Sequence, residues 1–238
     1  MPVILALFAV LAALVAARQR QRRHRPARLA IISPPRSTVI AQDGAVRSVQ
    51  SAELTLPASE LQRLWTPENL ENLARTYWRF LSRVTLGTIR VIYGENERSV
   101  VFIARPFTLL RFDAPTYLLD GDHGKVTWQI RDGLLVARSG RGSGFLALDV
   151  RRVQDGNGSG QARVRIEVEV ANFYPSIAVG FSIPVYEVTQ SSIHVLVTHA
   201  FLRSLANLDL AKSRVGRLSR VRWPGRGGPG RGDRSAQP

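Results

Sequence analysis

Residues 163–170 read RVRIEVEV, four branched apolar side chains alternating without a break with four charged ones. A period of two puts Val164, Ile166, Val168 and Val170 on one face and Arg163, Arg165, Glu167 and Glu169 on the other. Such a strand has a dry side and a wet side, which points to an antiparallel sheet covered on one face only. The rest of the chain has to supply the neighbouring strands and the cover.

Residues 51–57 (SAELTLP) alternate in the same way, with Ala52, Leu54 and Leu56 on one face. The period then changes. Ser59 is placed to cap a short helix carrying Leu61, Leu64 and Trp65. Thr66, Pro67 and Glu68 form a second start signal: a capping hydroxyl, a proline at the first helical position and an acid in the first turn. Leu70, Leu73, Ala74, Tyr77 and Leu81 follow on one helical face. After Ser82 the period returns to two. Strands are expected over 89–93, 100–104, 110–114, 126–130, 134–137 and 145–150, with turns at 94–97 and 120–124. Residues 172–188 (NFYPSIAVGFSIPVYEV) read as an extra strand, or else as an apolar flap near a cavity mouth or membrane. Helical spacing resumes over 189–210 through Ile193, Leu196, Val197, Ala200, Phe201, Leu205 and Leu208. A helix of that length needs a sheet to lie on.

The fold class that follows is α+β: a curved antiparallel sheet of about six to seven strands, two short helices after the first strand and a long C-terminal helix. This order, with its strand-to-paired-helix opening over 51–82, resembles the helix-grip fold of the START and Bet v 1-like superfamily (SRPBCC, many members labelled polyketide cyclase-like). The resemblance covers residues 49–210. It implies a cavity between sheet and last helix that holds a lipid, sterol or other apolar molecule, in proteins of which few are enzymes.

The ends are different in kind. Residues 3–17 (VILALFAVLAALVAA) carry no polar side chain, and 15 to 17 helical residues span about 25 Å. Arg18, Arg20, Arg22, Arg23 and Arg25 follow at once, and no basic side chain precedes the run. The positive-inside rule then keeps the following chain in the cytoplasm and sets the arginines against anionic headgroups. A cleaved signal peptide ending at Val15, Ala16 and Ala17 competes with this, but its positive charges belong before the apolar core. Expected organisation is therefore a transmembrane anchor over 1–18, a basic linker over 19–48, the helix-grip domain over 49–210 and a disordered basic tail over 211–238.

The formal charge of +15 belongs to these ends: +7 in residues 1–42, +7 in 203–238 and only +1 between them. Nucleic acid is accordingly not expected as a partner, since no basic face or aromatic platform lies within the domain. A membrane with anionic lipids uses the same charges; protein partners are not identified. Arginine outnumbers lysine 31 to 2, the bias of a high-GC genome.

Chemistry-bearing sets are absent from the sequence pattern. No cysteine is present, which excludes disulfides and thiolate sites. His24 lies in the basic linker and His123 in a turn. His194 and His199 are five apart, about 140° around a helix, so they do not share a face as a metal pair would. Asp113, Asp120, Asp122 and Asp132 fall in turns and outward positions. The run GRGSGF at 140–145 sits between strands and lacks the Gly-Lys-Ser/Thr ending of a phosphate loop, and Arg141 stands where a nucleophile elbow needs glycine. It reads as a hairpin turn. Arg226-Gly227-Gly228 and Arg231-Gly232-Asp233 are chance matches in a Gly/Arg-rich tail.

No catalytic residue, metal ligand or cofactor is thus expected. Tyr77, Phe112, Trp128 and Phe201, all on inward faces, are the candidate ligand-binding residues, with core packing as their plainer role. The leading expectation is a membrane-anchored, cytoplasm-facing module that binds an apolar small molecule or lipid. Behind it stand a membrane-proximal adaptor with a filled core and, last, a cyclase- or hydrolase-like enzyme.

Overall fold

The computed structural model describes residues 26–33, 37–103, 107–153, 160–176 and 192–212. The apolar run, the arginines from Arg18 to Arg25, residues 177–191 and the tail from 213 lie outside them. Among the described residues no helix is long and apolar enough to cross a membrane.

Two short strands come first, β1 (Arg28–Ile31) and β2 (Thr38–Ile40), then a long one, β3 (Val46–Pro57). Helices α1 (Ala58–Leu64) and α2 (Pro67–Val84) follow. Seven strands then run in sequence: β4 (Ile89–Tyr93), β5 (Glu97–Phe102), β6 (Thr108–Asp113), β7 (Thr116–Asp120), β8 (His123–Asp132), β9 (Phe145–Val153) and β10 (Gln161–Phe173). Helix α3 (Ser192–Ser204) ends in a 3-10 turn over Leu205–Asn207. One antiparallel ten-stranded sheet results, in the order β1-β3-β10-β9-β8-β6-β5-β4. β2 shares an edge of β3 with β1, and β7 shares an edge of β8 with β6. The meander closes on its start, because β10 lies against β3 from Gln161 opposite Pro57 to Phe173 opposite Val46.

Strand, paired helices, meander and final helix are the expected order. The α+β class with a large antiparallel sheet stands, and the details shift in five places. Among the described residues ten strands replace six or seven, because residues 28–31 and 38–40, read as linker, pair with β3, and residues 116–120, assigned no strand from sequence, pair with β8. Ala27 is buried, and Leu29 and Ile31 pack against the core. α2 is not short. Its apolar positions continue for 18 residues, burying Leu70, Leu73, Ala74, Tyr77 and also Trp78. Thr66 caps it as expected, accepting from the Asn69 amide at 3.2 Å, with Pro67 at the first position. Ser59 does not cap α1; Pro57 stands at that place, and the Ala58 amide donates to the Gly160 carbonyl. Residues 134–137 form no strand, only a bridge from Val136 to Pro175, because Gly133 takes a φ of 143° and turns the chain. α3 stops at Ser204, short of 210, and Leu208 takes the left-handed conformation (φ 53°) that redirects the chain.

The end of α2 offers a clean test of backbone strain. The Leu86 amide donates to the Arg83 carbonyl and the Gly87 amide to the Ser82 carbonyl at 2.7 Å, a Schellman ending that calls for glycine at position 86. Leu86 sits there instead at φ 53°, with its side chain 92% exposed. Leu86→Gly loses no packing and relieves the left-handed clash, so it stabilises the domain by about 0.5 to 1 kcal/mol after the entropy of glycine is deducted. A thermal melt showing no rise, or a fall, would contradict this.

Candidate binding pocket

The inner face of β3 changes character along its length. Ala52, Leu54 and Leu56 point inward at its C-terminal half, and Ser48 and Gln50 point inward, equally buried, at its N-terminal half. Each half meets a different partner.

Beside the apolar half lies a pocket of ≈ 100 Å³. Its floor is sheet (Leu54, Leu56, Val164, Ile166), one wall is the α1–α2 elbow and the other is Leu205, Leu208 and Leu210, from the segment after α3. Only Trp65, Thr66 and Asn69 among the lining residues carry polar side-chain atoms. The elbow forms because α1 is one seven-residue stretch with Leu61, Leu64 and Trp65 turned the same way, and α2 starts afresh at Thr66. The opposite wall exists because Leu208 leaves the helical path. Thr76 Oγ1 accepts from the Ala211 amide at 2.8 Å and pins that segment to α2. Ser204, at the end of α3, and Asn207 and Asp209 of the same segment face a polar groove of ≈ 120 Å³ shared with Arg79 and Arg83.

Beside the polar half, α3 meets β3 through a hydrogen-bonded cluster. Gln50 is fully buried; its Nε2 donates to Ser37 Oγ at 2.7 Å, and its Oε1 is 2.8 Å from His199 Nε2. Ser33 Oγ accepts from the Ser51 amide at 2.8 Å. Desolvation first, and Arg203 second, hold the His199 pKa below its ordinary value of 6.5. The imidazole therefore stays neutral in the fold where the unfolded chain takes a proton, so stability contributed here is complete above pH 6.5 and declines as pH falls below it. In His199→Gln, urea midpoints lose that part of their pH dependence below pH 6.5; an unchanged slope would remove His199 as the cause.

A second polar cluster sits on the outer face. His123, at the start of β8 rather than in a turn, has Nε2 2.8 Å from Asp149 Oδ2, and Arg151 Nε donates to Asp149 Oδ1 at 2.9 Å. Burial raises the Asp149 pKa, but the bonds from Arg151 and His123 outweigh it and leave the carboxyl below its usual range. No hydroxyl is bonded to His123 among the described residues, so the cluster braces β8 against β9 and forms no nucleophilic dyad. Among the described residues no group of three His, Asp or Glu is arranged to hold a metal ion.

The four aromatic residues singled out from sequence come together, but around no space of their own. Tyr77 packs edge-on against Phe201 (5.1 Å) and Trp78 (5.0 Å), and Trp78 in turn meets Phe112 (5.4 Å) and Trp128 (5.3 Å). Burial pushes the Tyr77 hydroxyl up to about 12. None of the four lines the apolar pocket. Trp128 reaches a recess of ≈ 20 Å³ beside Arg75, Tyr93 and Arg98, about the room of one water. The pocket's own residues Leu61, Leu64 and Trp65 had a sequence signal: three large apolar side chains on a helix too short to need them. Gln50 had none.

Among the solved structures that resemble the chain are the following three. Norcoclaurine synthase from Thalictrum flavum, a point mutant in complex with a transition state analogue, is 14% identical over 68% of this chain and 95% of its own, with a TM-score of 0.31. Human STARD10 is 11% identical over 72% of each chain, TM-score 0.30. A conserved protein of unknown function from Enterococcus faecalis is 13% identical over 75% of this chain and 81% of its own, TM-score 0.28. No protein-family model and no curated protein sequence matches the chain.

Proposed function

We propose that this chain is a membrane-tethered binding module that takes an apolar small molecule, or one chain of a lipid, in the pocket between the α1–α2 elbow and residues 205–210. The observation that carries the reading is the lining: a space of ≈ 100 Å³ walled almost wholly by leucine, isoleucine and valine. A water there has few polar partners, and an engineered dry cavity of about 150 Å³ with such walls takes benzene. The pocket suits a short alkyl chain or a single ring, so a larger ligand enters by one end. The tether is the apolar run over residues 3–17, with Arg18, Arg20, Arg22, Arg23 and Arg25 on anionic headgroups and the domain in the cytoplasm.

One preparation tests both halves. The full chain should stay with membranes through an alkaline carbonate wash, and native mass spectrometry of the extracted protein should show a bound apolar molecule. Val164→Phe projects a ring into the pocket and should lower ligand occupancy about tenfold at a stability cost of about 1 kcal/mol. A chain that is ligand-free in both forms sinks the reading.

A membrane-proximal adaptor is favoured by one observation, the filled aromatic cluster where a larger cavity was expected. Protein partners captured equally by the native chain and Val164→Phe would support it.

A further inference from the structure

Beside the pocket stands an arginine whose Nε the fold leaves without an acceptor among the described residues. Arg152 is two residues beyond Val150 on β9 and directly opposite Val164 on β10, and both neighbours line the pocket. Its guanidinium lies 4.4 Å from the centroid of Trp65, another lining residue. The Nε atom is buried and has no hydrogen-bond partner among the described residues. The nearby acid, Asp122, holds Oδ1 4.0 Å from it, beyond hydrogen-bond length. Other cations in the domain are better met. Arg98, more deeply buried, donates to the carbonyls of Gly94 and Glu97 at 2.7 and 2.8 Å. Arg47, Arg63 and Arg151 meet carboxylates at 2.6 to 2.9 Å.

The side chain is 31% exposed, but its buried Nε has lost water without gaining an acceptor, which is unfavourable, and the guanidinium fork matches the two oxygens of a carboxylate or phosphate. Stacking on Trp65, a lining residue, holds that fork beside the pocket, near enough to meet the head of a ligand whose apolar chain fills it. We infer that the ligand is an amphipathic anion, its alkyl or acyl chain in the pocket and its anionic head on Arg152. The inference rests on the pocket reading above and adds the head group to it.

The test uses the full chain in zwitterionic nanodiscs and two diazirine photoprobes of equal chain length, one ending in a carboxylate and one in an alcohol. Labelled peptides are mapped, and unlabelled octanoate and octan-1-ol compete for the site. Octanoate should compete at a concentration about tenfold lower than octan-1-ol, the effect of one hydrogen-bonded charge pair. Arg152→Met keeps apolar bulk over Trp65; it should bring the two competitors within about twofold by weakening octanoate alone. Partition into the bilayer is common to native and variant chains and cancels in their ratio. Asp122→Asn, at an exposed site, removes the competing acid and should strengthen octanoate about threefold. That variant also serves if Arg152→Met fails to fold. Equal competition by both ligands, or a carboxylate preference that survives Arg152→Met, overturns the head-group assignment while leaving the pocket. Failure of both probes to label the elbow over residues 61–73 overturns the pocket itself.

Discussion

Phe201→Ala is expected to cost about 3 to 5 kcal/mol, a large share of the roughly 5 to 15 kcal/mol that holds a domain of this kind together. The ring is completely buried and stands edge-on to Tyr77 at 5.1 Å and Phe80 at 5.9 Å, both on α2. Its removal leaves a void between α3 and α2 and takes away aromatic contacts worth about 0.5 to 1.5 kcal/mol each beyond burial. The void cannot collapse easily, because Trp78, next to Tyr77, is already braced by Phe112 and Trp128. Urea unfolding should show a lower midpoint with an unchanged slope. A loss under about 1 kcal/mol would mean that α3 does not close the core.

The second large effect concerns the start of the domain. A chain that begins at residue 43 keeps every strand and helix expected of the domain over 49–210, whereas one that begins at residue 26 also keeps β1 and β2. We expect the shorter chain to be less stable by about 3 to 5 kcal/mol, from lost apolar burial and stripped hydrogen bonds. Ala27 is 4% exposed, Leu29 and Ile31 pack on the core, and four residues of β1 pair with β3 from Thr55 to Ala52. The Ser51 amide would lose Ser33, and the buried Gln50 would lose Ser37. Equal melting temperatures for the two chains would restore the linker assignment.

Local signals were legible wherever a few neighbouring residues decide the outcome. The alternation at 163–170 became β10, and Thr66-Pro67 became the start of α2. β1 and β2 escaped notice because three or four residues among Arg, Pro and Ser carry too little periodicity to register. Trp78 escaped for a geometric reason. It lies about 100° around the helix from Tyr77, and both are buried because the sheet and α3 enclose more than one side of α2. The place of the apolar pocket was hidden for a volumetric one. Tyr77, Phe112, Trp128 and Phe201 were correctly read as inward-facing, but whether inward side chains fill a space or surround one depends on how they meet. The buried Gln50 was invisible because its partner His199 is 149 positions away.

The pairing of β3 with β10 has a kinetic consequence. Pro57 and its partner Gln161 are about a hundred positions apart, so a ribosome working at about 5 to 20 residues per second delivers the two strands roughly 5 to 20 seconds apart. During that interval β3 has only β1 and β2 on one edge, and its other edge is open to any passing strand. Arg47 and Glu53, on the face of β3 away from the core, place unlike charges on that waiting strand and disfavour apolar strangers. When β10 arrives, the same two residues meet Glu169 at 2.8 Å and Arg163 at 3.4 Å. Charges that guard the nascent strand thus become recognition marks for its proper mate.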